Sequence, residues 1–423
     1  MAPDVLLVTV DTLRSDFVGV YGGPGDTTPN LDAWAAGAVV FDRAVAASSR
    51  TVPSHASILT SRFVNEHSVG FENGSTRLGE VETLATDLRN AGYDTAAFVS
   101  NFVLDARVGL DRGFELYDDR LPDAELNRPY MFERRAEDTT QAAAEWLVAR
   151  GPRPYFLWVH YQDPHGPYTP PEPFDRVFDL APWPGDRLLP VLDGQAGEGG
   201  IPAYQLLEGT RRPSDYRSRY AGEIRYFDTS LGRLLKVIRG QGRDRPLVTL
   251  LTADHGESLG EEGHYFSHGH GTTPEQSWVP FVLAAPDLSP GRSGLLVSHV
   301  DVRPTVLDLA GLEVPEEASG LVLTRFLGDR SERPDRTVYC DVGLEVGAFS
   351  GDAFVRIRAP KPEEDRPELG SFLWEDTSWR PTAPRADLAR AVGSYLRRRV
   401  PHLPASPLDE AGREKLRALG YLE

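Results

Sequence analysis

Cysteine is almost absent from this chain, since Cys340 is the single cysteine among 423 residues. A lone cysteine excludes an intrachain disulfide, and its place in a strand-like run indicates a small core residue. The sequence also lacks any apolar run that approaches the roughly 20 residues of a membrane-spanning helix. No basic and apolar leader precedes the first strand-like segment. We therefore expect a cytoplasmic protein without a membrane partner.

An excess of positive charge is also absent, since 63 acidic residues outnumber 45 lysines and arginines and the formal net charge is −18. This balance argues against nucleic acids and anionic membrane surfaces as partners, although a local basic pocket can still bind a small anionic substrate. The 34 prolines and 40 glycines suit many loops between helices and strands. Nothing in the sequence sets the oligomeric state.

Strand-like and helix-like segments alternate along most of the chain. The expected strands cover residues 5–10, 95–100, 156–161 and 247–252, and the expected helices cover 83–91, 139–148 and 216–238. Strands separated by helices predict an α/β fold with a mostly parallel sheet sandwiched by helices.

Two segments depart from this alternation. Residues 169–215 are rich in proline, glycine and acidic residues, and we interpret this insertion as a lid-like loop over a substrate. From residue 331 onwards the sequence predicts strands at 337–342 and 353–358 and helices at 385–399 and 408–419. We therefore expect a main domain at 1–330 and a small C-terminal α+β subdomain at 331–423.

Two of the expected buried strands end in a carboxylate. Asp11 follows the first strand, and Asp254 with His255 follows the strand at 247–252. An aspartate at a strand end is often only an exposed loop residue. In open α/β sheets, however, ligands bind beyond the carboxyl ends of the strands. Carboxylates and an imidazole at that edge predict a site for a divalent cation.

A small polar loop runs into a helical pattern at residues 48–62 and places Thr51 beside the expected helix start. The N–H groups and the dipole at a helix N-terminus favour an anion. This position suits a nucleophile that attacks a phosphate or a sulfate. The alternative is that Thr51 only caps the helix.

Four blocks of the sequence resemble the sulfatase family of the alkaline-phosphatase-like superfamily. They are Thr-Pro-Asn-Leu-Asp at 28–32, Pro-Ser-His-Ala-Ser-Ile-Leu-Thr at 53–60, His-Tyr-Gln-Asp-Pro-His-Gly-Pro-Tyr at 160–168, and Ala-Asp-His-Gly-Glu-Ser-Leu-Gly at 253–260. The resemblance covers residues 4–325. It implies an alkaline-phosphatase-like fold, with a catalytic domain at 1–330.

The resemblance also implies one divalent metal ion, of manganese, zinc, calcium or magnesium. Its implied ligands are Asp11, Thr51, Asp254 and His255. Many sulfatases have two consecutive aspartates at the first position, whereas this chain has Thr12 as the second residue, and we expect His255 to compensate. A second metal, if bound, would use Asp163, His165 and His270. Their spacing differs from that of the relatives with two metals.

Position 51 decides the reaction that we expect. Sulfatases carry cysteine or serine in Cys-x-Pro-x-Arg and convert it to formylglycine, whereas residues 51–55 read Thr-Val-Pro-Ser-His. The γ-methyl group of threonine blocks that conversion. Threonine nucleophiles occur in phosphodiesterases and phosphoglycerol transferases of the superfamily. We therefore expect a phosphoester hydrolase or phosphotransferase with a covalent phosphothreonine intermediate. The alternatives are a sulfuric ester hydrolase and a catalytically idle binding protein.

Seven of the ten histidines lie in or close to the four blocks. The residues that we predict to act beside Thr51 in catalysis are His55, His165 and His268. Because an imidazole carries charge only when protonated, we expect a pH profile with an ionisation near that of histidine. The further predicted substrate contacts are Asn101, His160, Asp163 and His270.

Overall fold

The computed structural model describes residues 1–71, 75–182, 186–194, 196–242, 245–327, 334–360, 367–375 and 378–405. The helix expected at 408–419 lies outside the described residues.

An eight-stranded sheet carries the functional residues. Its strands are β1 (Asp4–Val10), β2 (Val39–Val45), β3 (Asp94–Phe98), β4 (Leu116–Asp118), β5 (Tyr155–Tyr161), β6 (Leu247–Ala253), β7 (Phe281–Ala284) and β8 (Gly291–Ser298). Their order across the sheet is β8-β2-β7-β6-β1-β5-β3-β4. Strand β7 is antiparallel to both of its neighbours, and the other adjacent pairs are parallel. The prediction of a mostly parallel sheet is therefore confirmed.

The three central strands are in a register that brings their carboxyl ends together. In β1 every residue is buried, as expected for an apolar strand that is covered on both faces. Val10, the last residue of β1, pairs with Tyr161 of β5 and with Ala253 of β6. The residues that follow these strands therefore leave the sheet side by side.

Helices cover the sheet, and their bounds are α1 (Pro29–Ala35), α2 (Thr51–Thr60), α3 (Leu84–Asn90), α4 (Ala136–Ala149), α5 (Pro213–Gly240), α6 (Pro274–Ser277), α7 (Val302–Leu309) and α8 (Ala386–Leu396). Helices α1 and α4 pack against α5, while α2 and α3 pack against α7. The helices expected at 83–91, 139–148 and 216–238 are thus present as α3, α4 and α5.

A second sheet lies in the C-terminal part of the chain. Its antiparallel strands are β9 (Val338–Asp341), β10 (Glu345–Ser350), β11 (Ala353–Arg358), β12 (Glu368–Glu375) and β13 (Ser378–Pro381). Helix α8 packs on β10 and β11. Cys340 is buried in β9, among apolar side chains that include Val45 and Val300 from the first part of the chain. The domain boundary expected at residue 330 stays a prediction.

Before α5 begins at Pro213, the described residues of the insertion at 169–215 form only short elements. Two of them, Val191–Leu192 and Ile201–Pro202, pair with each other. Its Gly197 carbonyl accepts a hydrogen bond from the Tyr265 N–H at 3.0 Å, beside the strand pair Ser258–Leu259 and Tyr265–Ser267. Two further strand pairs are Asp123–Glu125 with Arg128–Glu133, and Thr76–Arg77 with Leu403–Pro404. None of the helices in the described residues combines the length and apolarity needed to cross a membrane. The cytoplasmic location stays a prediction.

Candidate metal centre and adjoining cavity

Asp11 and Asp254 follow the adjacent strands β1 and β6, and both side chains are fully buried. Asp11 Oδ2 accepts a hydrogen bond from Asn101 Nδ2 at 2.8 Å. Asp254 Oδ1 accepts from the backbone N–H groups of Thr12 at 3.1 Å and His255 at 2.7 Å. The other oxygens, Asp11 Oδ1 and Asp254 Oδ2, have no hydrogen-bond partner among the described residues. Each carboxylate therefore offers one oriented oxygen atom.

The His255 ring presents one nitrogen to these oxygens. Its Nδ1 lies 2.9 Å from the Gly256 carbonyl oxygen, which can only accept, so Nδ1 carries the proton. Nε2 is then a lone-pair donor for a cation. This atom lies 3.4 Å from Asp254 Oδ2 and 3.8 Å from Asp11 Oδ1.

The Thr51 hydroxyl completes this cluster. Oγ1 lies 3.3 Å from His255 Nε2. Helix α2 begins at Thr51, its N-cap residue is Arg50, and no side-chain cap hydrogen bond is made there. The hydroxyl therefore does not serve as a helix cap. It lies at the start of a helix, where an anion is favoured.

The residues of this cluster fit a divalent cation. One donor atom from each of Asp11, Asp254 and His255 lies within 4.8 Å of the others. Burial, and then the charge of Asp254, raises the pKa of Asp11 well above its ordinary value. Burial also raises the pKa of Asp254 to about 8. Two buried carboxylates and an imidazole form a hard, mixed oxygen and nitrogen donor set that a metal ion neutralises.

His55 and His160 lie behind the cluster. His55 Nδ1 donates to the Thr51 carbonyl at 2.8 Å, and Nε2 lies 3.0 Å from Thr9 Oγ1. Burial lowers the pKa of His55 to about 3, so the ring is neutral. His160 is fully buried, with Nε2 3.7 Å from Asp11 Oδ2. The structure therefore corrects the expectation that His55 supplies positive charge to the substrate.

Asp163 is directed towards helix α4. Its Oδ2 accepts the backbone N–H of Ala136, the first residue of that helix, at 2.8 Å. A carboxylate at this position satisfies a helix N–H group and interacts favourably with the helix dipole. The donor atoms of Asp163, His165 and His270 do not form a cluster within 4.8 Å. The structure therefore does not bring together the residues expected for a second metal, or place Asp163 at the substrate.

A cavity of about 190 Å³ opens next to Thr51. Five residues of the sequence-predicted site line it, namely Thr51, Asn101, His165, His268 and His270. The other lining residues are Arg50, Val103, Glu125, Arg128, Met131, Ala196, Tyr204 and Gly269. Thr51 of the cluster thus shares one opening with these four predicted polar residues.

The imidazoles of His165 and His268 stand together in this cavity, with ring centres 5.2 Å apart. Nδ1 of His268 lies 3.3 Å from Glu257 Oε1, and its ring centre lies 4.5 Å from that of His255. Burial, followed by neighbouring charges, lowers the pKa values of His165 and His268 well below the ordinary value. Burial therefore favours the neutral form of both rings, and the pH profile with an ionisation near that of histidine stays a prediction.

Sequence reasoning missed the arginines of the cavity wall. Arg50 directly precedes Thr51, and this adjacency could have indicated it. Arg128 is paired with Glu125, through Nη2 and Oε1 at 2.9 Å, and its guanidinium carbon lies 4.0 Å from the Tyr204 ring centre. No motif or periodicity in the sequence indicated that Arg128 and Tyr204 would line the cavity. Glu257 was also missed, although it lies in the block at 253–260.

Comparisons with known proteins agree with this geometry. The sequence model of the family described as Sulfatase matches residues 3–312. An arylsulfatase from Clostridium perfringens is 26% identical over 388 residues, which cover 78% of this chain and 79% of that protein. The multifunctional alkaline phosphatase superfamily protein PehA from Trinickia caryophylli is 25% identical over 414 residues, with 79% of each chain covered.

The fold is also similar to that of a solved phosphonate monoester hydrolase from Silicibacter pomeroyi. The TM-score is 0.70 and the identity is 24%, with 95% of this chain and 96% of that chain covered. This likeness shows that the two chains share one fold over nearly their whole length.

Proposed function

This chain belongs to the sulfatase family of ester hydrolases, and we propose that it cleaves small anionic phosphoesters, diesters or monoesters, with Thr51 as the nucleophile. The observation that carries the proposal is the Thr51 hydroxyl, which lies 3.3 Å from His255 Nε2 at the opening of the cavity. The family's formylglycine cannot form from threonine. A phosphoryl group can instead be transferred directly to the hydroxyl.

We propose that Asp11, Asp254, His255 and Thr51 Oγ1 hold one divalent cation. When bound, it supplies Lewis-acid chemistry that acidifies the Thr51 hydroxyl and neutralises charge on the ester. Asn101 holds the Asp11 carboxylate in place through its amide N–H. The Gly256 carbonyl fixes the His255 tautomer, so that Nε2 stays a donor.

The Thr51 oxygen then attacks the phosphorus atom. The Oγ1–P bond forms while the bond from phosphorus to the leaving oxygen breaks, and the hydroxyl proton passes through solvent to the leaving oxygen. The products are a phosphothreonine and the free alcohol. The start of helix α2 favours the negative charge that the phosphoryl oxygens carry. His165 Nδ1 is buried at the cavity without a hydrogen-bond partner in the described chain, which suits a contact to the leaving oxygen. Water or an alcohol then takes the phosphoryl group from Thr51.

The relatives support ester hydrolysis, but they include enzymes named for phosphoryl substrates and enzymes named for sulfate esters. The names of PehA and of the phosphonate monoester hydrolase accord with phosphoryl chemistry. The likeness to an arylsulfatase favours sulfuric ester hydrolysis as the second candidate. In that case an unmodified threonine would have to release sulfate without a formylglycine.

An assay panel tests the proposal. Metal-stripped enzyme receives Mn²⁺, Zn²⁺, Mg²⁺ or Ca²⁺ and is assayed with aryl phosphate, phosphodiester, phosphonate and sulfate esters. We expect phosphoester cleavage to exceed sulfate cleavage. Good cleavage of the aryl sulfate with poor cleavage of the phosphoesters would overturn the proposal in favour of the sulfatase. Failure on every ester with every metal would support the idle binding protein.

Variants of Thr51 test the nucleophile itself. Thr51→Ala should abolish turnover, and Thr51→Ser should keep part of it because a hydroxyl remains. Acid quench during turnover should leave phosphate on the peptide that contains Thr51. Thr229→Ala is the matched control, because Thr229 hydrogen-bonds only to the Arg225 carbonyl of its own helix in the described structure. Wild-type turnover in Thr51→Ala would show that another group attacks.

A further inference from the structure

Arg50 extends the cavity wall next to the nucleophile. It is the N-cap residue of α2, with extended backbone angles of φ −134° and ψ 139°. Its side chain lines the cavity together with Thr51 and His268. A guanidinium keeps its charge at all working pH values, whereas the imidazoles of this cavity do not.

The path of the Arg50 side chain is fixed by Gly269. This glycine has φ +76°, in the left-handed region, and a Cβ atom there would lie 3.0 Å from Arg50 Cγ and 3.1 Å from Nε. The arginine therefore occupies the space that a side chain at position 269 would take. Its Nη1 donates a 2.7 Å hydrogen bond to the Phe71 carbonyl oxygen. These contacts hold the guanidinium before any substrate binds, which lowers the entropic cost of using it.

Phe71 is in turn held by the C-terminal part of the chain. The Arg399 guanidinium carbon lies 5.3 Å from the centre of the Phe71 ring, and the His402 ring contacts it at 5.5 Å. A Cβ atom at Gly343, in the loop between β9 and β10, would lie 2.7 Å from the same ring. Arg399 also forms an ion pair with the buried Asp341 of β9. The C-terminal sheet and the segment after α8 thus enclose the Phe71 ring. The backbone carbonyl of the same residue orients Arg50.

The other arginine of the wall has a different surrounding. Arg128 pairs with Glu125 through two hydrogen bonds and stacks on Tyr204. Its charge is thus matched by a carboxylate at the wall. Arg50 lies one residue from the nucleophile and lines the cavity beside it, and its Nη1 donates to the Phe71 carbonyl. Of the two guanidiniums, Arg50 is the one placed to meet an anion that is attacked by Thr51.

We infer that Arg50 is a substrate-binding residue whose guanidinium contacts a non-bridging oxygen of the ester, and that Phe71 is a positioning residue through which the C-terminal segment sets Arg50. The identity of the anion as phosphate rests on the proposed function. The contact with a tetrahedral oxyanion does not, because sulfate and phosphate share that geometry.

The test measures oxyanion binding by calorimetry with the full-length, metal-loaded protein. Inorganic phosphate and, separately, inorganic sulfate are titrated into the wild type, Arg50→Met and Arg50→Lys. We expect Arg50→Met to weaken binding of the preferred oxyanion at least about tenfold, which is the loss of one charge-assisted contact. Arg50→Lys should recover part of it. Arg239→Met, at the exposed end of α5, is the matched control and should bind as the wild type does.

Turnover gives the second readout. We expect kcat/KM of Arg50→Met to fall by about 10²-fold to 10³-fold, as for removal of one donor to a developing oxyanion. Oxyanion binding and kcat/KM within twofold of the wild type in Arg50→Met would overturn the inference, whichever ester is the substrate. If the wild type binds and cleaves sulfates in preference, the proposed function fails, and the sulfate titration still decides the role of Arg50.

To separate positioning of Arg50 from a role in stability, the test of Phe71 uses KM and oxyanion binding, which a purely structural role would leave unchanged. Phe71→Leu should raise KM and the dissociation constant of the oxyanion several-fold, with kcat changed less and metal content unchanged. Phe71→Tyr keeps the ring and should restore both constants. Assays well below the melting temperature separate positioning from stability. A lower melting temperature in Phe71→Leu with unchanged KM and oxyanion binding would overturn the positioning role.

Discussion

The metal cluster and the cavity wall that faces it are built in different ways. Asp11 and Asp254 follow neighbouring parallel strands whose register ends at Val10 and Ala253. Backbone hydrogen bonds of the sheet therefore set the distance between the two carboxylates. The cluster is a direct product of the central sheet.

The cavity wall consists of the residues that line the cavity beside Thr51, including Arg50, Arg128 and His268. Their positions depend on contacts with side chains that are distant in sequence. Glu345 Oε1 of β10 accepts hydrogen bonds from the Thr272 N–H and hydroxyl, both at 2.7 Å. Arg358 Nη2 of β11 donates to the His270 carbonyl at 3.0 Å. The C-terminal sheet therefore supports the loop that carries His268.

The difference separates two kinds of change. A substitution in the cluster should affect the metal, whereas one in the wall should affect substrate affinity and leave the metal in place.

The largest effect should come from Asp254→Ala, which breaks the cluster. We expect loss of bound metal and a fall in turnover of about 10⁴-fold or more, as when an essential member of a catalytic unit is removed. Elemental analysis and kinetics measure both quantities. Asp228→Asn is the control, because Asp228 is a buried carboxylate that caps α1 through the N–H groups of Asn30 and Leu31. Full metal content in Asp254→Ala would refute its role as a ligand.

The next largest effect should come from Asn101, which orients the proposed metal ligand Asp11. Asn101→Ala removes the 2.8 Å hydrogen bond to Asp11 Oδ2. Loss of such an outer contact typically lowers metal affinity about 10-fold to 100-fold. Competition with a chelator measures the affinity. Asn127→Ala is the control. The Asn127 amide donates to the backbone carbonyls of Tyr204 and Leu206, and neither of these residues belongs to the metal cluster. Unchanged affinity in Asn101→Ala would place Asn101 with the wall instead.

The same contrast explains what the sequence could predict. Apolar strands that end in Asp11 and Asp254 have a local pattern, and the parallel fold then brings those ends together. The pairing of Arg128 with Glu125 spans one short hairpin, but nothing local indicates that this hairpin faces Thr51. His55 was expected at the substrate from its place in a block. Its burial beneath Thr51, with both nitrogens engaged, depends on contacts with Thr9 of another strand.

A smaller effect should follow from Glu345→Gln, which disturbs the wall alone. The amide keeps an acceptor for Thr272 but loses the charge that pairs with Arg358 at 2.9 Å. We expect KM to rise several-fold with metal content unchanged, because the loop at 268–272 loses part of its support. Kinetics and elemental analysis on the same preparation check this. Loss of metal in Glu345→Gln would show that the cluster and the wall are not independent.

The smallest effect is a pH dependence of stability in the metal-free protein, and its slope should change in a variant of the cluster but not in a variant of the wall. Burial raises the pKa values of Asp254 and Glu257 to about 8 each. Unfolded carboxyl groups are fully ionised at neutral pH, so the folded protein binds more protons than the unfolded chain. The free energy of unfolding then falls as the pH rises from about 6.5 to the folded pKa values of about 8, and it levels off above them. Buried histidines such as His55 act in the opposite sense, but only below their unfolded pKa near about 6.5.

Melting temperatures of the stripped protein across that window measure this dependence. We expect a decrease of a few degrees towards the alkaline end, and a shallower decrease in Asp254→Asn, which has no carboxyl group to ionise. Added Mn²⁺ should raise the melting temperature more at the alkaline end, because the cation replaces the protons that the carboxylates have lost. Glu345→Gln should keep the slope of the wild type, since Glu345 belongs to the wall. A melting temperature that rises with pH in the stripped wild type would show that the two carboxyl groups are already ionised without a metal.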